Sequence, residues 1–281
     1  MTLNEIYIQG KNILVDAGCM APAFDAMRIF EHCFNLTRQD IILHRNDVPD
    51  KHVANKFFEL IHQRASGRPL QYILEYWSFM DIKLKVGEGV LIPRDDTEVL
   101  VTKALKSIQN IKQPKILDLC TGPGTIAITL AKQHCDATIV AVDVSNIALG
   151  YLLENAALNK VKNITTKQCN VLEDFATFTH ANFDLIVSNP PYIPTSDLNG
   201  LQIEVQREPR LALDGGEDGL IFYRSIAKNW MRFLKNDGML CVELGQGQAW
   251  DVVAIFSQEG LEDIEITKDL NGIERVVSGK K

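Results

Sequence analysis

Apolar positions recur at helical spacing through the first part of the chain. Ile6, Ile13 and Leu14 make one stripe, and Ala26, Ile29, Phe30, Cys33 and Phe34 make another. Thr37-Arg38-Gln39-Asp40 sets a hydroxyl three positions before an acid, a helix start, and Pro49 bounds that stretch. Val53, Phe57, Phe58, Leu60 and Ile61 mark a further amphipathic helix, which ends near Ser66-Gly67-Arg68-Pro69. Such stripes are core faces, and together they predict a small helical bundle over residues 1–75. The period then changes. Lys83, Leu84, Lys85 and Val86 alternate ahead of Gly87-Glu88-Gly89, which fits a β-hairpin in a linker over residues 76–94. Pro93 introduces a helix from about Thr97 to Ile111. From Lys115 onward apolar runs alternate with helical patterns. The strands are expected at 115–120, 137–143, 163–169, 183–188, 238–243 and 262–267, with 273–278 closing an antiparallel pair. Helices are expected near 125–134, 146–159, 219–234 and 247–258. This predicts an α/β domain over residues 95–281, built on a doubly wound, mostly parallel, seven-stranded sheet covered on both faces. The segment from Ile193 to Gly219 has no clear period, and loops that long usually serve function, so it is expected to form part of a substrate wall.

Composition narrows the class. The 281 residues are 46% hydrophobic and 23% charged, as in ordinary globular proteins. A net charge of −7 gives no basic footprint for bare nucleic acid. Residues 1–90 carry ten Lys and Arg against eleven Asp and Glu, so no basic recognition domain lies there either. The six cysteines (19, 33, 120, 135, 169 and 241) have no C-x-x-C spacing and are expected to be reduced thiols. The histidines (32, 44, 52, 62, 134 and 180) show no metal spacing, and no metal site is expected. No apolar segment approaches the roughly 20 residues needed to span a bilayer, and no basic-then-apolar signal opens the chain. A cytoplasmic monomer without nucleic-acid or membrane binding is the expectation.

Two motifs carry chemistry. Asn189-Pro190-Pro191-Tyr192 follows the apolar run 183–188, and ligands of open α/β sheets bind beyond the carboxyl ends of strands. The two prolines stiffen the turn and remove two donors. Asn189 offers a side-chain carbonyl, Pro190 a backbone carbonyl and Tyr192 a flat face, a set suited to a planar group bearing an NH2. An ordinary turn closing a strand is the plainer reading. The second motif runs from a short strand through Asp118-Leu119-Cys120-Thr121-Gly122-Pro123-Gly124 into a helix. Gly122 and Gly124 permit close backbone approach, and the next strand ends in Asp143, which can take ribose hydroxyls. By pattern this also fits a dinucleotide fingerprint, with Ala127 as its third small residue. Asp118 would repel a pyrophosphate and suits a cationic aminoacyl group, favouring S-adenosylmethionine over the minor alternative in which it caps its own turn.

These residues resemble the HemK/PrmC family, the N5-glutamine methyltransferases of peptide chain release factors. The resemblance runs through Gly67-Arg68-Pro69-Leu70-Gln71-Tyr72-Ile73, Leu91-Ile92-Pro93-Arg94-Asp95-Asp96-Thr97-Glu98 and both motifs above. It continues through Asp143-Val144-Ser145, the Asn155-Ala156 helix, Glu208-Pro209-Arg210-Leu211-Ala212-Leu213, Gly215–Leu220 and Glu243-Leu244-Gly245. It implies a class I, Rossmann-like methyltransferase fold, with the helical domain reading a release factor and the glutamine of its Gly-Gly-Gln motif as substrate. Asn189, Pro190 and Tyr192 are then the catalytic residues, and Asn189 to Tyr192, Pro191 included, the substrate site. S-adenosylmethionine would be held by Cys120, Thr121, Gly122, Pro123, Gly124, Asp143 and Asn189. Asn170 and Val171 would flank adenine, with Arg94 and Thr97 in a lid. Glu208 and Arg210 are expected to pair and shape the loop. The family usually has glycine at the position of Cys120 and a small polar residue at that of Pro123. An N6-adenine or N2-guanine nucleic-acid methyltransferase, and a binding module without turnover, are the alternatives.

Overall fold

The computed structural model describes residues 1–178 and 182–281, which leaves His180 outside the described residues. The chain divides into two compact units, Met1–Tyr76 with Gln202–Arg207, and Trp77–Leu201 with Glu208–Lys281.

In the first unit, α1 (Leu3–Asp16) and α3 (Arg38–Leu43) each begin with a reciprocal capping box, Thr2 with Glu5 and Thr37 with Asp40. α2 (Pro22–Phe34) starts on proline and stops at Asn35 in the left-handed region. α4 (Lys51–Ala65) is capped by Asp50, and α5 (Leu70–Leu74) follows. The predicted stripes meet: Leu14, Ile29, Phe30, Phe57 and Ile61 are fully buried, with Phe30 and Phe57 edge to face at 5.8 Å between ring centroids. Gly10 is required there, since a Cβ would lie 2.5 Å from the Phe57 ring. Buried Arg64 donates to Asp25 at 2.6 Å and to Glu204 at 2.7 Å, and Glu204 lies in the returning segment 202–207.

In the second unit, β1 (Tyr76–Phe79) and β2 (Ile82–Lys85) form the predicted hairpin. It is a part of this unit and not a free linker, because Leu84 and Val86 are buried in the same core as Leu100, Ile126 and Leu152. Then follow α6 (Thr97–Ile108), β3 (Lys115–Leu119), α7 (Thr125–Gln133), β4 (Thr138–Asp143), α8 (Asn146–Leu158), β5 (Ile164–Gln168) and β6 (Phe183–Ser188). α9 (Ile221–Ser225), β7 (Leu234–Glu243), α10 (Ala249–Gln258), β8 (Glu262–Lys268) and β9 (Glu274–Lys280) complete it. The seven-stranded sheet runs β5-β4-β3-β6-β7-β9-β8, and only β9 is antiparallel to its neighbours. Every residue of β6 is buried, with Leu185 and Val187 in one core and Ile186 in the other, as a central strand covered on both faces requires. The helix expected over 219–234 is broken: α9 ends at Ser225, a wide turn spans Ile226–Trp230, and β7 already starts at Leu234. That break buries Tyr223 and Trp230 together in the second core. Among the described residues no helix is long and apolar enough to cross a membrane.

Candidate active site

Register puts the ends of four strands side by side. Leu119 of β3 pairs with Val142 of β4 and with Ser188 of β6, and Ser188 pairs with Val242 of β7. The glycine turn, Asp143 and Asn189 therefore emerge at one edge, where a cleft of about 200 Å³ opens. Parallel strands expose carbonyls and turn residues there, which is why the two motifs converge although they are far apart in sequence.

The turn is wound through the left-handed region at alternate residues: Cys120 at φ 57°, Gly122 at 56° and Gly124 at 89°. Glycine tolerates that conformation, and Cys120 does so at a cost in backbone strain. The two glycines serve different ends. A Cβ on Gly122 would meet nothing within 4 Å, so its backbone faces open space, whereas one on Gly124 would come within 2.9 Å of Leu152 and Ile128. Gly124 accordingly does not line the cleft, while Cys120, Thr121, Gly122 and Pro123 do. Asp143 pins the turn, its Oδ2 accepting from Gly122 N at 2.8 Å and its Oδ1 from Ser145 N at 2.9 Å. Burial pushes its carboxyl above the ordinary value against those hydrogen bonds. Asp118 lies behind the turn, wholly buried, and accepts the Thr121 hydroxyl at 2.6 Å, so it caps its own turn and does not line the cleft. Burial pushes its carboxyl up to about 7.

Of the tetrapeptide, Asn189 and Pro191 line the cleft, and Pro190 and Tyr192 sit beside it. Tyr192 packs against the second core, where burial pushes its phenol up to about 12. Its backbone is braced on two sides. Gln248 Nε2 donates to Tyr192 O at 2.9 Å, and a Cβ on Gly215 would lie 2.7 Å from Tyr192 Cα. Gly215 is thus glycine because the tetrapeptide backbone runs against it. Asn189 Nδ2 donates to Thr97 Oγ1 at 3.2 Å. Thr97 is 3% exposed at the start of α6, so it is a buried partner of Asn189 that also borders the cleft.

Arg94 borders the cleft and pairs with buried Glu208, whose other oxygen accepts from Ile92 N at 2.9 Å. The expected Glu208–Arg210 pair does not form; Arg210 is exposed and bonds Asp214 instead, Nε to Oδ2 at 3.1 Å. Glu208 is buried, and the buried carboxylate takes the cation nearest in space rather than in sequence. Asn170 and Val171 reach the cleft. Asn170 Oδ1 accepts from Leu172 N at 3.0 Å, and Val171 O accepts from Ser225 Oγ and Trp230 Nε1, each at 2.8 Å. Fully buried Asn155 accepts from Lys85 N at 2.6 Å and donates to Lys85 O and Pro123 O, each at 3.0 Å. One side chain so ties hairpin, α8 and glycine turn together.

Sequence reasoning missed several lining residues. Leu91, Val144, Ala148 and Phe222 make much of the wall, and Pro209, Leu211 and Ala212 come from the long unpatterned segment. It also gave no role to Glu243, the last residue of β7, which is 2% exposed beneath Asn189 and Thr97. Its signal was a carboxylate closing an apolar strand beside the tetrapeptide strand.

Residues 5–74 match the model of the PrmC N-terminal domain and residues 95–205 that of the methyltransferase small domain. Among similar proteins is a release factor glutamine methyltransferase of Thermodesulfovibrio yellowstonii, 40% identical over 90% of this chain and 90% of that one. Another, from Caulobacter vibrioides, is 36% identical over 100% of this chain and 97% of its own. Among solved structures, the hMettl16 catalytic domain in complex with the MAT2A 3'UTR hairpin 1 superposes with a TM-score of 0.56. At 12% identity over 82% of this chain and 81% of that one, the likeness is one of class I methyltransferase fold alone. Sequence shared over nearly its whole length makes this chain a member of the release factor glutamine methyltransferase family.

Proposed function

We propose that this protein transfers a methyl group from S-adenosylmethionine to the side-chain amide nitrogen of the glutamine in the Gly-Gly-Gln motif of peptide chain release factors. The observation that carries the reading is the meeting of Asn189 with the glycine turn and Asp143 at one cleft, in a chain of this family.

The residues present suit the cofactor. Gly122 leaves its backbone facing open space, Asp143 closes the neighbouring strand within reach of a ribose, and Leu91, Val144, Ala148 and Phe222 offer apolar surface to a base. Bound S-adenosylmethionine supplies an electrophilic methyl on a sulfonium. The chain's task is to aim a weak nucleophile, since a carboxamide nitrogen shares its lone pair with its carbonyl. Asn189 Oδ1 and the Pro190 carbonyl accept the two amide hydrogens, which orients the nitrogen and stabilises positive charge building on it. Tyr192, braced by Gln248, keeps the tetrapeptide in place. Positioning of this kind supplies roughly 7–11 kcal/mol in favourable cases. No base on the chain has to act first, because the surplus proton leaves to water after transfer. We assign recognition of the release factor to residues 1–75. The six free cysteines support a reducing, cytoplasmic setting, and a monomer suffices because every residue invoked belongs to one chain.

Incubation with labelled S-adenosylmethionine and separate pools of release factor, tRNA, rRNA and DNA tests the reading. Label in the release factor alone is expected. Label in a nucleic acid and none in the release factor would overturn it.

A further inference from the structure

An asparagine side chain presents two nearly isosteric ends, one that accepts and one that donates, so a flip of the carboxamide reverses its chemistry. To receive an amide NH2, Asn189 has to point Oδ1 into the cleft and turn Nδ2 elsewhere. Here Nδ2 donates to Thr97 Oγ1 at 3.2 Å. Thr97 has one hydroxyl hydrogen, and the buried Glu243 carboxyl lies next to both its hydroxyl and the Asn189 amide, where the Thr97 hydrogen is the donor within its reach. The backbone delivers this contact. Ser188 of β6 pairs with Val242 of β7, so the next residues along each chain segment, Asn189 and Glu243, lie side by side. Glu243 is 2% exposed, and its Oε2 has no hydrogen-bond partner among the described residues. A proton taken up on that oxygen leaves the other free to accept.

We propose that Thr97 and Glu243 are positioning residues that fix the Asn189 carboxamide with its carbonyl toward the substrate. With the flip reversed, Asn189 Oδ1 would face the lone pairs of the Thr97 hydroxyl and of the Glu243 carboxyl. Neither could then be satisfied without moving the Thr97 hydrogen away from Glu243, stranding a buried acceptor. The order of donors thus runs one way, from Asn189 to Thr97 to Glu243. The role rests on the reading of Asn189 as the amide-binding residue, and it explains why a buried acid lies behind a site with no use for a base.

Two measurements on the full-length protein test it. The first follows the Asn189 side-chain NH2 resonances, which need no substrate and disappear in Asn189→Asp. In Thr97→Val, which keeps shape and removes the hydroxyl, the pair of resonances is expected to exchange with solvent markedly faster than in Thr97→Ser. The second is steady-state methylation of a release factor at saturating S-adenosylmethionine. Thr97→Val should lower kcat by roughly ten-fold or more, the worth of one well-placed hydrogen bond, with KM for the release factor changed far less. Thr97→Ser should recover most of the loss, and Glu243→Gln, which can offer a donor end to Thr97, should fall between. The proposal is overturned by unchanged NH2 exchange in Thr97→Val, by a serine variant as impaired as the valine one, or by a loss confined to cofactor affinity. Failure of the wild-type enzyme to methylate release factor would strike the functional reading instead, and leave the exchange result to judge this one. If Thr97→Val does not fold, Glu243→Gln carries both measurements, and wild-type exchange and kcat in it overturn the proposal.

Discussion

Replacing Asn155 by alanine removes the clasp between hairpin, α8 and glycine turn. Three hydrogen bonds go: Lys85 N to Oδ1 at 2.6 Å, and Nδ2 to Lys85 O and to Pro123 O, each at 3.0 Å. A typical hydrogen bond contributes about 1 kcal/mol net, and loss of a buried partner costs more, about 1–3 kcal/mol per stranded group. Asn155 is fully buried, so solvent does not replace it freely. Alanine returns roughly 0.5 kcal/mol in helix propensity. The balance is a loss of about 3 kcal/mol, a large share of the roughly 5–15 kcal/mol that holds a domain folded. Asn159 supplies the control. It makes the same pair of contacts with Lys83, Nδ2 to O at 2.8 Å and N to Oδ1 at 3.3 Å, from a half-buried position where both contacts are open to solvent. Asn159→Ala is expected to cost less than about 1 kcal/mol, because water takes over its partners. Urea unfolding of both variants, extrapolated to water, measures the difference. Equal losses at the two positions, or a loss below about 1 kcal/mol at Asn155, would refute the reasoning that burial gives this clasp its strength.

Cys120→Gly is expected to raise stability by about 1 kcal/mol as the strain at φ 57° is relieved, with cofactor affinity kept or improved; Cys120→Val should act in the opposite direction, and a denaturant midpoint that falls in the glycine variant would contradict this. Asp118 bears on pH dependence: its folded carboxyl titrates at about 7, above the unfolded value of about 4, so the folded state holds the proton more tightly. Its contribution is therefore full below about pH 4, falls as pH rises to about 7 and is level above. In Asp118→Asn that part of the decline should vanish from unfolding curves taken between those values, and an unchanged slope would place the proton elsewhere. Asp143→Ala should weaken S-adenosylmethionine binding by about 1.5–3 kcal/mol in a calorimetric titration, since a charged acceptor is lost and Gly122 N is released; unchanged affinity would move the ribose site.

Local pattern explains what was legible in the sequence. The stripes of α2 and α4 and the strand runs through β6 depend on residues three or four, or two, positions apart, and the sheet built from them matches the predicted one. The cleft was legible where a motif carries its own backbone demand, as at Gly122 and the two prolines. What failed depended on distance. Glu208 was paired with Arg210 two positions away, yet it bonds Arg94, 114 residues away. Segment 202–207 carries no period of its own, and the Arg64–Glu204 contact that ties it into the first unit spans 140 residues. The break after Ser225 hides within an apolar stretch because helix, wide turn and strand all accept Ile226, Ala227 and Trp230 there. Glu243 looked like a strand-end acid, and only the register of β7 against β6 brings it beneath Asn189.

The most direct measurement is peptide mapping by tandem mass spectrometry of a release factor incubated with S-adenosylmethionine and either the wild-type protein or Asn189→Ala. The account predicts one methyl group on the side-chain nitrogen of the Gly-Gly-Gln glutamine with the wild type. With Asn189→Ala, folded and still binding the cofactor, the rate should be lower on the order of 10²–10³-fold, the worth of one preorganised contact to a developing charge. A methyl group on any other residue, or near wild-type rate in the alanine variant, would contradict it.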